Sequence, residues 1–291
     1  MAEAPVLQSG ARSVERDDAP LVDVDVAPGQ SRRLLSGWRL LSWRVGVLLG
    51  TLLLWEALSW TLVDERYISR PSAVLIRFVE WILDAEFWYH AWTTIWEALT
   101  GYLLGSALGA AVGFVLGLNH LLARAVSPVI TALYAIPKVT LAPLFVLYFG
   151  IYEPSKIALA TVIVFFLVFY STFTGVHEVD RELVDAVLTM GANRWQVLHI
   201  VIVPAAMDWV MTGVRIALPY AFIGAVAGEI IISSRGLGYL IRTHTDQIDT
   251  TGAFAALVTL MLMTAALNEV VTRIHARTRY WRTVGHKAEQ F

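Results

Sequence analysis

Residues 156–175 read Lys156-Ile-Ala-Leu-Ala-Thr-Val-Ile-Val-Phe-Phe-Leu-Val-Phe-Tyr-Ser-Thr-Phe-Thr-Gly175. After the opening lysine the run carries no charge. It has the length a helix needs to cross a bilayer, because about 30 Å of hydrocarbon at about 1.5 Å per residue takes roughly 20 residues. A spanning β-strand would be about 9–11 residues of alternating polarity, and this run is too long and too continuous. Working outward, five more stretches have the same character: Val45–Val63, Thr94–Leu118, Val126–Phe149, Met207–Ile232 and Ala253–Val271. The expected fold class is therefore all-α integral membrane, with six transmembrane helices.

Composition agrees. The 291 residues are 57% hydrophobic and 16% charged, against about 45–50% and about 25% in an ordinary soluble domain. A net charge of −2 excludes nucleic acid as a partner, since binding it takes a strong basic excess. The lipid bilayer is the expected surroundings. With no cysteine in the chain, disulfides, thiolate metal sites and thiol nucleophiles are excluded. The seven histidines form no His-Glu-x-x-His motif, so no metal site and no catalytic residue is expected.

Residues 1–38 are polar and aperiodic, and read as a disordered tail. Residues 39–275 form the membrane domain, and 276–291 a short C-terminal tail. With six spans both termini share a side. Fourteen Lys/Arg fall on that side and six on the other, counting Lys156 with the six, so the positive-inside rule places both termini in the cytoplasm. Segments 119–125 and 176–206 are then cytoplasmic, and 64–93, 150–155 and 233–252 external. Within the first external segment, Pro71 to Leu83 has the spacing of a short helix opened by a proline.

Several features stand out inside the spans. Gly101, Gly105, Gly109, Gly113 and Gly117 form a ridge of the kind that lets helix backbones approach closely. Its drift of about 40° per step implies a ridge wrapping round to more than one neighbour. Pro128, Pro137 and Pro143 predict a kinked or broken third span, and irregular backbone at that depth needs protein or a watery cavity beside it. Lys138, in that break, and Glu229 are candidates for the translocation path, because an intramembrane charge costs at least about 2.5–3.5 kcal/mol. Arg215 and Glu269 are placed near span ends, and Glu56 and Glu97 at the interface.

The functional segment lies between spans four and five: Asp180-Arg-Glu-Leu-Val-Asp-Ala-Val-Leu-Thr-Met-Gly-Ala-Asn-Arg-Trp-Gln-Val-Leu-His-Ile-Val-Ile-Val-Pro204. Leu183, Val184, Val187 and Leu188 share one helical face, with Arg181, Glu182 and Asp185 off it. Gly191 is a natural helix stop and Asn193 a cap for a second helix. This segment resembles the loop of bacterial ABC-importer permeases written EAA, three residues, G, nine residues, I-x-L-P. Asp185-Ala186-Val187 stands for the first triplet, Gly191 follows at the right distance, and Val201-Ile202-Val203-Pro204 closes the pattern. Ile136-Pro-Lys, Ala142-Pro-Leu, Gly213-Val-Arg-Ile-Ala, Ala227-Gly-Glu and Gly236-Leu-Gly-Tyr-Leu are similar to the nitrate/sulfonate/taurine branch. Glu97 departs from that branch, which often has Arg there.

The resemblance implies a type I ABC-importer permease in the plasma (inner) membrane. It implies a cytoplasmic ABC ATPase dimer coupled through Arg181, Glu182, Asp185, Ala186, Gly191, Arg194, Val203 and Pro204. It further implies an external solute-binding protein and a second permease copy, most simply in a homodimer. The chain has no Gly-x-x-x-x-Gly-Lys-Ser/Thr loop, so it is not an enzyme and holds no cofactor, ATP and Mg being bound by the partner ATPase. The solute implied is a small organic or inorganic anion such as a sulfonate or nitrate. The alternative is an ATP-independent secondary transporter or channel, disfavoured because no internal repeat is evident.

Overall fold

The computed structural model describes residues 37–61 and 67–278. All regular structure among them is helical. The chain divides into two units, Met1–Thr51 and Leu52–Phe291. The described part of the first is the leading part of helix α1 (Gly37–Thr61), whose hydrophobic side chains are exposed.

The second unit carries the remaining helices: α2 (Pro71–Ile82), α3 (Ala85–Leu118), α4 (His120–Ala135), α5 (Ala142–Phe149), α6 (Glu153–His177), α7 (Arg181–Thr189), α8 (Arg194–Val197), α9 (Val203–Ile231), α10 (Leu237–Asp246) and α11 (Thr250–Thr278). Five helices among the described residues are long and apolar enough to cross a membrane. A sixth crossing is made if α4 and the piece from Lys138 to Phe149, bent by 81°, count as one. The expected six spans thus hold, the third as a broken one.

The boundaries moved for physical reasons. The second span begins at Ala85 rather than Thr94. Asp84 caps it by accepting from Glu86 N at 3.0 Å, and its first turns are Phe87, Trp88, Tyr89, His90 and Trp92. Such residues score poorly as hydrocarbon formers yet suit headgroup depth. α10 falls in a segment read only as an external loop. Of the expected tails, residues 1–36 and 279–291 lie outside the described residues. Gly37 and Trp38 already belong to α1, and α11 runs on to Thr278.

The glycine ridge organises the bundle, and here one expectation is corrected. All five glycines face one neighbour, α6. A Cβ on Gly105 would lie 2.5 Å from Thr161 O, one on Gly109 2.7 Å from Phe165 O, and one on Gly113 2.7 Å from Phe169 O. Gly101 meets Ala160 and Gly117 meets Val176 in the same rising order, so α3 and α6 run parallel. Two helices that cross along their fourfold ridges turn about each other, and that turn follows the drift which seemed to carry the ridge away. On its other side α6 packs antiparallel to α9, with Gly224 against Ala160, Gly213 against Ser171, and Trp209 against Gly175. The core between them includes Tyr102, Val164, Val168, Leu218, Ala221 and Phe222.

The three prolines have different effects. Pro128 sits inside α4, while Pro137 follows its end and precedes a 3-10 turn, Lys138–Leu141. Pro143 occupies the first turn of α5, where a missing N–H costs nothing. α5 then packs on α6 and α9 through Ala142, Leu159, Ile163 and Ala227. Glu56 accepts from Ser72 N at 3.1 Å and Ser72 Oγ at 2.8 Å, tying the end of α1 to the first turn of α2.

Candidate functional site

Beyond the C-terminus of α6 the chain builds a platform of short helices. Asp180 starts α7 by accepting from Glu182 N at 2.8 Å. α7 ends at Thr189, and Gly191 just beyond it has φ +89°, a left-handed conformation that only glycine adopts without a Cβ penalty. Asn193 and Gln196 then form a reciprocal capping box at 2.8 and 2.9 Å, starting α8. The turn Leu198–Ile202 is π-helical and leads into α9. Pro204 lacks the N–H that would have bonded Ile200 O, and a wider turn absorbs that vacancy.

Val184 and Val187 are half-buried, whereas Leu183, Leu188, Met190 and Trp195 are exposed, the last two at 86% and 65%. Arg181, Glu182, Asp185, Ala186, Gly191 and Arg194 are exposed on the same segment. Val203 and Pro204 stand apart from them, in the first turn of α9. The platform therefore offers apolar anchors with a charged rim, the composition of a protein-binding surface.

A second feature lies at the break between α4 and α5. Lys138 Nζ donates to Tyr134 O and sits 4.4 Å from the Tyr134 ring centroid and 5.2 Å from that of Phe166. Phe166 is near the middle of the 25-residue α6, so this lysine is at mid-depth. It is only partly buried, and Val139 beside it is exposed.

The third feature is wholly internal. Glu229 is 0% exposed; its carboxylate accepts from Thr94 Oγ1 at 2.8 Å and from Gly238 N at 2.6 Å. Thr94 Oγ1 accepts from Leu237 N at 2.8 Å, and His90 Nδ1 accepts from Gly236 N at 3.0 Å. A Cβ on Gly236 (φ +106°) would overlap the Glu229 carboxyl. α10 and the turn before it are thus clamped onto α3 and α9. Glu229 is a tie in this conformation and faces no open channel.

Two neighbours of Glu229 differ from expectation. Glu97, read as interfacial, is 0% exposed, and neither of its carboxylate oxygens has a hydrogen-bond partner of ordinary geometry among the described residues. Lys156, counted with the external loops, is 2% exposed and donates to Ile151 O and Tyr152 O. It is the cation whose field reaches both carboxylates. The ridge contained the signal. One step back from Gly101 is Glu97, and one step back from its partner Ala160 is Lys156.

A parallel α3–α6 pair locked by glycines, a broken span and a capped pair of short helices between α6 and α9 describe a multi-span helical membrane protein, and the family match gives its class, a permease of the ABC-importer type. Residues 87–280 match the family model described as "Binding-protein-dependent transport system inner membrane component", and the chain belongs to that family. It is a multi-pass inner-membrane permease subunit of an ABC importer, a transport component and not itself an enzyme, with no cofactor of its own. The riboflavin transport system permease RibX of Chloroflexus aurantiacus is 38% identical, over 69% of this chain and 75% of that protein. The taurine transport system permease TauC of Escherichia coli is 29% identical, over 86% and 94%. A structure of the MetNI methionine ABC transporter in an inward-facing conformation shares the fold, with a TM-score of 0.51 and 20% identity, over 69% of this chain and 96% of that one.

Proposed function

We propose that this chain passes a small anionic solute from an external binding protein to the cytoplasm, and that α7–α8 is the surface through which an ATPase dimer drives it. The observation that carries the reading is the exposure of Leu183, Leu188 and Met190 on and just after the short helix α7, with Trp195 exposed on α8. Exposed apolar side chains rimmed by charge are the composition of a surface that takes a partner. Arg181, Glu182, Asp185 and Arg194 orient that partner. Ala186 leaves room for close approach, Gly191 sets the angle between the helices, and Val203 with Pro204 joins the platform to α9.

In this reading both termini and 176–206 are cytoplasmic, as the Lys/Arg bias favours, and residues 39–275 form the permease domain. Two copies enclose the path, most simply as a homodimer. Lys138 lies on that path and attracts the anion, while Glu229 ties α10 to the bundle at another level, beside Lys156. The test is co-purification with the partner ATPase subunit. A double variant Leu188→Glu, Met190→Glu should insert normally and lose the ATPase from the complex. Full retention of the ATPase by that variant contradicts the reading.

A further inference from the structure

We propose that Lys138, Tyr134, Tyr170 and Phe166 form a solute subsite at mid-depth whose ligand is an organic anion with a flat or apolar body, rather than a bare inorganic oxyanion. The proposal rests on the reading above that the chain is a permease for anions.

The first step is what this face borders. Lys138 is only partly buried beside the middle of α6, and the backbone next to it is broken by Pro137. Even on the most lenient scale an ammonium at mid-bilayer costs about 2.5–3.5 kcal/mol, and non-helical backbone at that depth survives only against protein or water. The face therefore borders an aqueous route or a second permease copy enclosing one, as in transporters whose broken helices hold the solute near the midplane.

The second step is the wall. Tyr134 and Tyr170 are 41% and 48% exposed, and their ring centroids lie 5.3 Å apart at 31°. With Phe166 they give the lysine an aromatic surround on two helices, α4 and α6. A fixed cation beside flat apolar faces and phenolic hydroxyls matches a carboxylate, sulfonate or phosphate attached to a ring or short hydrocarbon. The charged end meets Lys138 and the body lies on the rings. Nitrate or sulfate would use the cation and leave the rings idle.

The chain has no cysteine, so an introduced thiol is the only one in it, and labelling is read on this chain after it is separated from its partner subunits. Val139→Cys, or Leu133→Cys should the first not assemble, is placed in the full transporter in proteoliposomes. It is then treated with sulfonatoethyl and trimethylammonioethyl methanethiosulfonate. The negative reagent should react about tenfold faster than the positive one, and that preference should vanish when Lys138→Gln is added. Benzenesulfonate should slow the reaction severalfold and nitrate at equal concentration should not, and Tyr170→Ala should remove the benzenesulfonate effect.

No reaction with either charged reagent overturns the subsite, as does a preference that persists without Lys138. Equal protection by nitrate overturns the organic class. Labelling requires no ATP hydrolysis, so its failure is distinct from loss of the ATPase at α7–α8.

Discussion

Thr94 and Glu229 are joined at 2.8 Å across the α3–α9 contact, and the same threonine hydroxyl oxygen accepts the Leu237 N–H at 2.8 Å. One side chain thus closes a circuit between two long helices and the turn that starts α10. All the groups in it are buried, so each lost bond leaves a partner that water cannot rescue.

Thr94→Val keeps the shape and removes both bonds. It should destabilise the protein by about 2–5 kcal/mol, from two stranded buried groups, one of them a carboxylate. Thr93→Val is the control, since that hydroxyl bonds only Tyr89 O in its own helix. Denaturant unfolding in micelles, with hydrogen exchange at residues 236–238, reads both. Equal stabilities for the two variants would contradict the circuit.

Lys156→Ala should be more severe than Glu97→Gln. The lysine is 2% exposed and its charge acts on both buried carboxylates, and a buried charged group left uncompensated costs about 1–3 kcal/mol or more. Folded yield after detergent extraction should fall strongly for Lys156→Ala and recover in part when Glu97→Gln is added. A double variant no better than the single one would show that the charges do not compensate one another.

Gly109→Val should push α3 from α6, because a Cβ there already meets Phe165 O at 2.7 Å and Phe169 N at 3.0 Å. Overpacking of this kind costs about 1–3 kcal/mol or more. Gly191→Ala meets nothing within 4 Å and bears only the penalty of its left-handed backbone, about 1–2 kcal/mol, confined to the platform. Thermal melts of the spans should separate the two, with Gly109→Val lower.

At the α10–α11 corner Asp249 accepts from Gly252 N at 3.0 Å, pairs with Arg77 at 3.2 Å and meets His244 at 3.0 Å. Partial burial alone would raise its pKa. The Gly252 N–H, the Arg77 charge and His244 outweigh that and hold the carboxyl below the ordinary aspartate range. A depressed folded pKa stabilises above the unfolded value and loses that contribution as pH falls through the folded one. Asp249→Asn should therefore cost about 1 kcal/mol at neutral pH, with the gap to the parent protein closing below about pH 4. A gap independent of pH would contradict the ionised tie.

The spans, the proline break and the capped platform were legible because each rests on local physics: run length, a missing N–H, a cap at fixed spacing. The Asn193 cap and the Gly191 stop fell where local chemistry placed them. What was illegible is pairwise. The ridge from Gly101 to Gly117 announces close approach, but only the register with α6 shows that its next step back sets Glu97 toward Lys156. α10 was missed because its mixed polarity and Gly236 start read as loop, its place being secured by Glu229 and Thr94 on distant helices. Tyr134 and Tyr170 acquire meaning only when α4 meets α6.

The central claim is that α7–α8 transmits ATPase closure to the spans. It is tested most directly by measuring ATP hydrolysis and solute uptake in proteoliposomes carrying Asp185→Lys or Gly191→Val with the ATPase and binding protein. Both variants should insert with spans that melt as the parent's do, the left-handed backbone penalty of Gly191→Val staying within α7–α8, while solute-stimulated hydrolysis and uptake fall at least about tenfold. Parent-level hydrolysis and uptake in both would contradict the claim.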